Sequence, residues 1–200
     1  MEILLKNKAA LAGIIFIALV AAAALFAPFV SPYAPSWQDL PQRLSPPSAS
    51  HFLGTDDLGR DVFSRMIYGA RVSMSVGFFA VLITVLIGVL LGMISGYFGG
   101  RADSVIMRFT DIMLCFPTFF LILIVIAFFE PGIVNVMAVI GITSWPGLAR
   151  IVRAEVLSLR EREFVLASKM LAVSRFRILF KHILANIASP VIVYAATGIG

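Results

Sequence analysis

Leu159-Arg-Glu-Arg-Glu-Phe-Val-Leu-Ala-Ser-Lys-Met-Leu-Ala172, followed by His182-Ile-Leu-Ala-Asn186, sits inside a basic segment, residues 150–186, set between long apolar runs. The 200-residue chain is 60% hydrophobic and only 14% charged, against about 45–50% apolar in soluble domains. A core of this size could not hide so much apolar surface, so lipid must be part of the solvent. The chain reads as an all-α polytopic membrane protein. Residues 150–181 carry eight Lys or Arg against three Glu, whereas residues 29–72 balance four Arg with four Asp. The positive-inside bias therefore places the first stretch in the cytoplasm and allows the second to lie outside. Set between spans, the basic stretch marks topology or a membrane-side partner rather than nucleic acid.

Working outward, Lys6 and Lys8 precede an apolar run over residues 9–30. It approaches the ~20 residues that cross a bilayer and exceeds a signal-peptide core. It is expected to be an uncleaved first span with the N-terminus inside, so residues 1–30 form one unit. Residues 31–50 carry Pro32, Pro35, Pro41, Pro46 and Pro47 and cannot be regular helix. With the segment that follows they make an external loop, residues 31–71. In that segment Asp56 or Asp57 is expected to cap an amphipathic interfacial helix, with Asp61 and Arg65 paired at i,i+4.

The rest, residues 72–200, forms the main membrane domain. Its first span, residues 72–98, carries a row of small residues, Ala80, Thr84, Gly88, Gly92 and Gly96. Such a row lets two helix backbones approach closely in lipid, and Gly88, Gly92 and Gly96 are the expected helix-packing residues. Gly99-Gly100-Arg101 makes an inner turn. The next span, residues 104–129, is expected to pair Arg108 with Asp111 and to kink at Pro117. Glu130-Pro131-Gly132 makes an outer turn. A fourth span over residues 133–148 is interrupted at Trp145-Pro146-Gly147, and a fifth begins near Ile178. About five spans result.

The chain lacks the Gly-x-Ser-x-Gly, His-Glu-x-x-His and Gly-x-x-x-x-Gly-Lys-Ser/Thr patterns, so no catalytic, metal or nucleotide site is expected. His51 and His182 fall on opposite sides of the membrane, and Cys115 stands alone in an apolar run. A conduit driven by other subunits is expected, not an enzyme. On a helical wheel of residues 160–173, Phe164, Ala167 and Leu171 share a face, with Arg162 and Lys169 opposite. Such a helix can lie on the membrane or dock into a groove on a soluble protein.

The runs 163–172 and 178–186 resemble the Glu-Ala-Ala loop of ABC importer permeases. Leu53-Gly-Thr-Asp-Asp-Leu-Gly-Arg-Asp-Val-Phe-Ser-Arg65, Gly99-Gly100-Arg101-Ala-Asp103 and Phe116-Pro117 resemble one branch, the second permease subunit of dipeptide, oligopeptide and nickel importers. The resemblance covers essentially the whole chain and implies a type I ABC importer permease (MetI-like) fold. It also implies a coupling loop at residues 150–181 within a permease transmembrane domain, residues 72–200. The implied function is translocation of di- or oligopeptides across the bacterial inner membrane, with nickel or a metal chelate as the alternative cargo. The implied partners are a homologous second permease, two cytoplasmic ATP-binding subunits that hold the ATP, an extracytoplasmic substrate-binding protein, and lipid. Glu163, Phe164, Ala167, Ser168, Leu171, Ala172, His182 and Asn186 would form the ATPase-coupling region. Leu166, Ala172 and Ala185 stand where Glu, Gly and Pro are usual in the family, and Ala172 should make its turn harder. The family's sixth span is not found in these 200 residues, which leaves a shortened, non-transporting membrane anchor as a further alternative.

Overall fold

The computed structural model describes residues 8–128 and 132–199. Lys6, Glu130, Pro131 and Gly200 lie outside the described residues. Two compact units divide the chain, residues 1–75 and 76–200, and among the described residues the regular elements are helices.

In the first unit α1 (Lys8–Leu25) is apolar on every side, with Ile14, Phe16 and Leu19 all exposed. Its 18 residues extend about 27 Å, just short of the ~30 Å hydrocarbon layer. The predicted run to residue 30 breaks at Phe26, where a separate turn, Ala27–Val30, starts with proline in its first positions. That is where a missing N–H costs nothing.

The loop beyond is held by buried polar groups rather than by an apolar core. His51 is 6% exposed and Asp61 4%. His51 Nδ1 meets Asp61 Oδ1 at 2.9 Å, His51 Nε2 meets Gln42 Oε1 at 3.1 Å, and Tyr33 stacks on the imidazole. The Ser64 N–H donates to Asp61 Oδ2 at 2.7 Å. Asp61 is thus the cap of α2 (Val62–Phe98), three residues before the N–H it binds. This corrects two expectations. Asp56 and Asp57 do not cap this helix, and Asp61 pairs with His51 while Arg65 turns to Asp56. Burial pushes the Asp61 carboxyl up, but hydrogen bonds from Ser64 and His51 outweigh it and hold it below the usual range. For Asp56, burial is likewise outweighed. The Arg60 and Leu58 N–H groups and the Arg60 and Arg65 guanidinium groups hold that carboxyl far below normal. Gly59 closes the loop at φ +73°, and a Cβ there would fall 1.8 Å from the Asp39 carbonyl oxygen.

The predicted interfacial helix and second span are one helix, α2, because no proline interrupts residues 62–98. Its 37 residues extend about 55 Å, more than a bilayer's apolar layer needs.

In the second unit α2 ends at the Gly99-Gly100 turn, where both residues take positive φ. Then come α3 (Gly100–Cys115) and α4 (Thr118–Phe128). The expected kink at Pro117 is larger than a kink, since the two helices are bent by 82°. Phe116 is extended, as a residue before proline prefers, and the Pro117 carbonyl starts the new helix by accepting from the Phe120 and Leu121 N–H groups.

Pro146 does the opposite. α5 runs unbroken as Ile133–Arg160 with Pro146 fully buried inside it, so the predicted interruption at residues 145–147 is absent. The neighbours secure this turn. Trp145 is buried and stacks on Phe109, and Tyr194 Oη donates to the Ser144 carbonyl at 3.4 Å. Proline within a helix is tolerated where adjacent helices supply such support.

The small-residue row of α2 lies against α5. A Cβ on Gly92 would stand 2.7 Å from both the Ala149 carbonyl and Val152 Cβ. On Gly96 it would stand 2.8 Å from Val156 Cβ, and on Gly88 3.0 Å from the Leu148 side chain. Further along, Thr84 Oγ1 donates to the Gly141 carbonyl at 3.2 Å. Contacts advance together along both helices, so α2 and α5 run in the same direction and the bent α3–α4 pair makes the return. After α6 (Glu163–Met170), a turn at Arg175–Arg177 and a π-helical turn Ile178–Ile183 lead into α7 (Leu184–Ile199).

Among the described residues three helices are long and apolar enough to cross a membrane, or four where the bent pair counts as one span. With the shorter α1 they account for the about five spans expected. Leu86, Ile124 and Ile192 remain exposed. Apolar surface on this scale needs a cover, and lipid provides one.

Candidate functional site

The segment between α5 and α7 is an elbow fixed to the helical core by very few side chains. Residues 150–160 are the last turns of α5 rather than loop. Their cations are already engaged. Arg153 forms a two-pronged pair with Asp103 of α3, Nε and Nη2 each donating at 2.6 Å, and Ser95 Oγ donates to the same carboxylate. Arg150 Nη2 donates to Asp111 at 2.5 Å, so the expected partnership of Asp111 with Arg108 is replaced by one across helices. The charge of the first third of the basic segment therefore ties α3 to α5.

α6 begins at Arg162, whose extended backbone offers its carbonyl to the Val165 and Leu166 N–H groups at 3.0 Å each. Glu163 in the first turn and Lys169 in the last suit the helix dipole. The end is a Schellman closure. The Val173 N–H reaches the Ser168 carbonyl and the Ala172 N–H reaches that of Lys169, both at 3.1 Å. That closure needs a left-handed residue, and Ala172 supplies it at φ +56°. Ala172 thus forms the turn that glycine would form more easily, at a cost of about 1 kcal/mol.

Along α6 one side chain is buried, Val165, fully enclosed with Val156, Ile178, Leu179, Ile183 and Tyr97. Phe164 and Leu166 are exposed, and Met170 and Leu171 are 88% and 79% exposed. The apolar residues thus point two ways, a single anchor inward and a patch outward. Lys169 turns back, its Nζ 6.0 Å over the Tyr97 ring and donating to the Arg160 carbonyl at 3.4 Å.

Of the expected coupling residues, Glu163, Phe164, Ala167, Leu171 and Ala172 lie together on the exposed part of the elbow. Ser168 is half-buried and donates to the Phe164 carbonyl at 2.7 Å. His182 and Asn186 sit apart from these on the π-turn and α7, where Asn186 Nδ2 donates to the His182 carbonyl at 2.7 Å. The burial of Val165 and the pairing of Asp103 with Arg153 are not foreseen from the sequence. The Asp103–Arg153 partners are 50 residues apart, and no local spacing announces them. Among the described residues no His, Cys, Asp or Glu group could hold a metal ion.

Residues 88–200, from the glycine row through the elbow to the end of α7, match the model of the binding-protein-dependent transport system inner membrane component. The chain belongs to that family. Residues 1–47 also match the N-terminal transmembrane domain of oligopeptide transport permease C. This permease chain is 44% identical over 195 residues to a dipeptide transport system permease protein of Alkalihalophilus pseudofirmus, covering 98% of this chain and 64% of the relative. It is 42% identical to an oligopeptide transport system permease protein of Bacillus subtilis, covering 94% and 62%. Against a nickel transport system permease protein of Escherichia coli the identity is 39%, covering 94% and 68%. The chain therefore spans about two thirds of the length of the curated relatives it matches. The expected family and the helical, MetI-like permease fold are both borne out.

Proposed function

We propose that the chain is the membrane-spanning permease subunit of an ATP-driven importer that carries di- or oligopeptides across the cytoplasmic membrane. Its N-terminus and elbow face the cytoplasm, consistent with the surplus of Lys and Arg in residues 150–181. A homologous second permease completes the pathway, an extracytoplasmic protein delivers the peptide, and two ATP-binding subunits supply the energy.

One observation carries this reading. α6 and the residue that caps it present Phe164, Leu166, Met170 and Leu171 outward while Val165 is fully buried among residues of α2, α5 and the π-turn. An apolar patch on a short helix suits a groove on a soluble partner. Force applied to that patch passes through Val165 to Val156 of α5 and to Ile178 and Ile183 ahead of α7. Helices that pack closely shift as units, so closure of an ATPase around α6 would tilt α5 and α7 together. Glu163 and Ala172 hold the two ends of the lever in shape, and His182 and Asn186 fix its junction with α7.

Peptide cargo is favoured by the dipeptide and oligopeptide relatives. The test uses the assembled transporter with Leu171→Asp. Labelled dipeptide uptake and co-purification of the ATPase should both fall strongly while membrane insertion persists. Full uptake with that variant would overturn the coupling role of α6, and uptake of labelled nickel in place of dipeptide would overturn the cargo.

A further inference from the structure

Beside the elbow lies a pocket of about 430 Å³ lined by Tyr97 and Phe98 at the end of α2, Lys169 of α6, and Val173, Arg175 and Ile178. We propose that it holds the phosphate of an anionic lipid headgroup. Its volume falls in the ~300–1,000 Å³ range of small-molecule sites, and its two charged lining groups are both cations. Among the described residues no carboxylate pairs with Lys169 or Arg175. Lys169 uses one contact on the Arg160 carbonyl, leaving donors of its ammonium open. The Arg175 guanidinium offers a planar fork suited to phosphate.

The remaining lining suits the rest of a lipid. Phe98 is exposed, and with Val173 and Ile178 it gives an apolar wall next to the cations. Tyr97 and Phe98 lie at the last turn of a helix long and apolar enough to cross a membrane, and aromatic side chains are enriched at the level of the headgroups. A free anion would use the cations and leave the wall idle, whereas a lipid uses both. On the orientation proposed above, this end of α2 meets the leaflet whose anionic lipids attract such basic sites. The bound headgroup would brace the end of α2 against Lys169 and Arg175, on either side of the Ala172 turn, and so stiffen the lever.

The experiment is native mass spectrometry of the assembled transporter in detergent, incubated with phosphatidylglycerol or with phosphatidylcholine. Wild type should retain phosphatidylglycerol preferentially. The Lys169→Gln, Arg175→Gln variant should retain one fewer phosphatidylglycerol per copy of this chain. The charge-keeping Lys169→Arg, Arg175→Lys variant should retain the wild-type number, which separates lost charge from lost folding. Equal retention of both lipids, unchanged retention in the neutral variant, or displacement of the lipid by millimolar inorganic phosphate would overturn the proposal. Uptake is not read, so failure here leaves the importer assignment untouched.

Discussion

The loop before α2 and the elbow before α7 each connect membrane helices, yet they are fastened by opposite means. The first is closed around buried polar groups. His51, Asp61 and Ser64 are almost fully enclosed, and the Asp61 carboxylate is shared between an imidazole and a helix N-terminus. In the second, α6 is held by one buried apolar side chain, Val165, with most of its other side chains outside. A polar network tolerates little displacement, because each buried group that loses its partner keeps its full desolvation cost. A single apolar anchor has no hydrogen-bond partner to lose, so α6 can move together with the helices that enclose Val165. The loop is thus built to hold a shape, and the elbow fits the lever proposed above.

Substitutions at the two left-handed turns test that contrast most sharply. Gly59→Ala puts a Cβ onto the Asp39 backbone, which cannot step aside, and should cost the loop on the order of 4 kcal/mol. Limited proteolysis within residues 31–61 would detect the opening, and an unchanged cleavage pattern would break the comparison. Next in size is Asp61→Asn, which weakens the pair with His51 and should cost about 2–3 kcal/mol. Asp61 and Asp56 are both held below their ordinary values, so their contribution is complete above the unfolded value near pH 3.9. It is lost as the pH falls through the folded values. Acid should therefore loosen the loop below about pH 4 in the wild type, with a weaker acid response in Asp61→Asn, measured by the same proteolysis across pH.

Gly92→Ala forces apart α2 and α5 at the Ala149 carbonyl and should destabilise the second unit by about 1–3 kcal/mol. Gly88→Ala should cost less, since its neighbour is the Leu148 side chain. Thermal unfolding of the purified transporter would rank the two. The smallest effect expected is a gain. Ala172→Gly relieves the left-handed turn after α6 and should stabilise the elbow by about 1 kcal/mol, seen as slower amide exchange at the Val173 N–H. A loss of protection there would show that the turn is not strained as described.

Much of this architecture was legible in the sequence because it depends on periodicity and on punctuation. The row from Ala80 to Gly96 announced a close helix contact, and Gly99-Gly100 announced a turn. The row could not name its partner, because Leu148, Val152 and Val156 lie some 60 residues away and carry no mark of the pairing. The two prolines show the limit most clearly. Pro117 breaks its helix and Pro146 does not, and the difference resides in what packs around them, with Trp145 and Tyr194 supporting the second. Ion pairs read from i,i+3 and i,i+4 spacing gave way at both Asp61 and Asp111, since His51 and Arg150 reach those carboxylates from elsewhere in the chain. Local spacing sees only one helix, whereas Asp61 finds its partner in the preceding loop and Asp111 finds its partner on another helix. For α6, the wheel placed Phe164 and Leu171 together but gave no hint that Val165 alone would be buried.

The lever account is tested most directly by Val165→Ala in the assembled transporter, with dipeptide uptake and ATP hydrolysis measured on the same preparation. Loosening the anchor without touching the exposed patch should leave the ATPase bound and hydrolysing while uptake per ATP falls several-fold. Uptake per ATP equal to wild type, with the complex intact, would contradict the claim that motion passes from α6 to the spans through Val165.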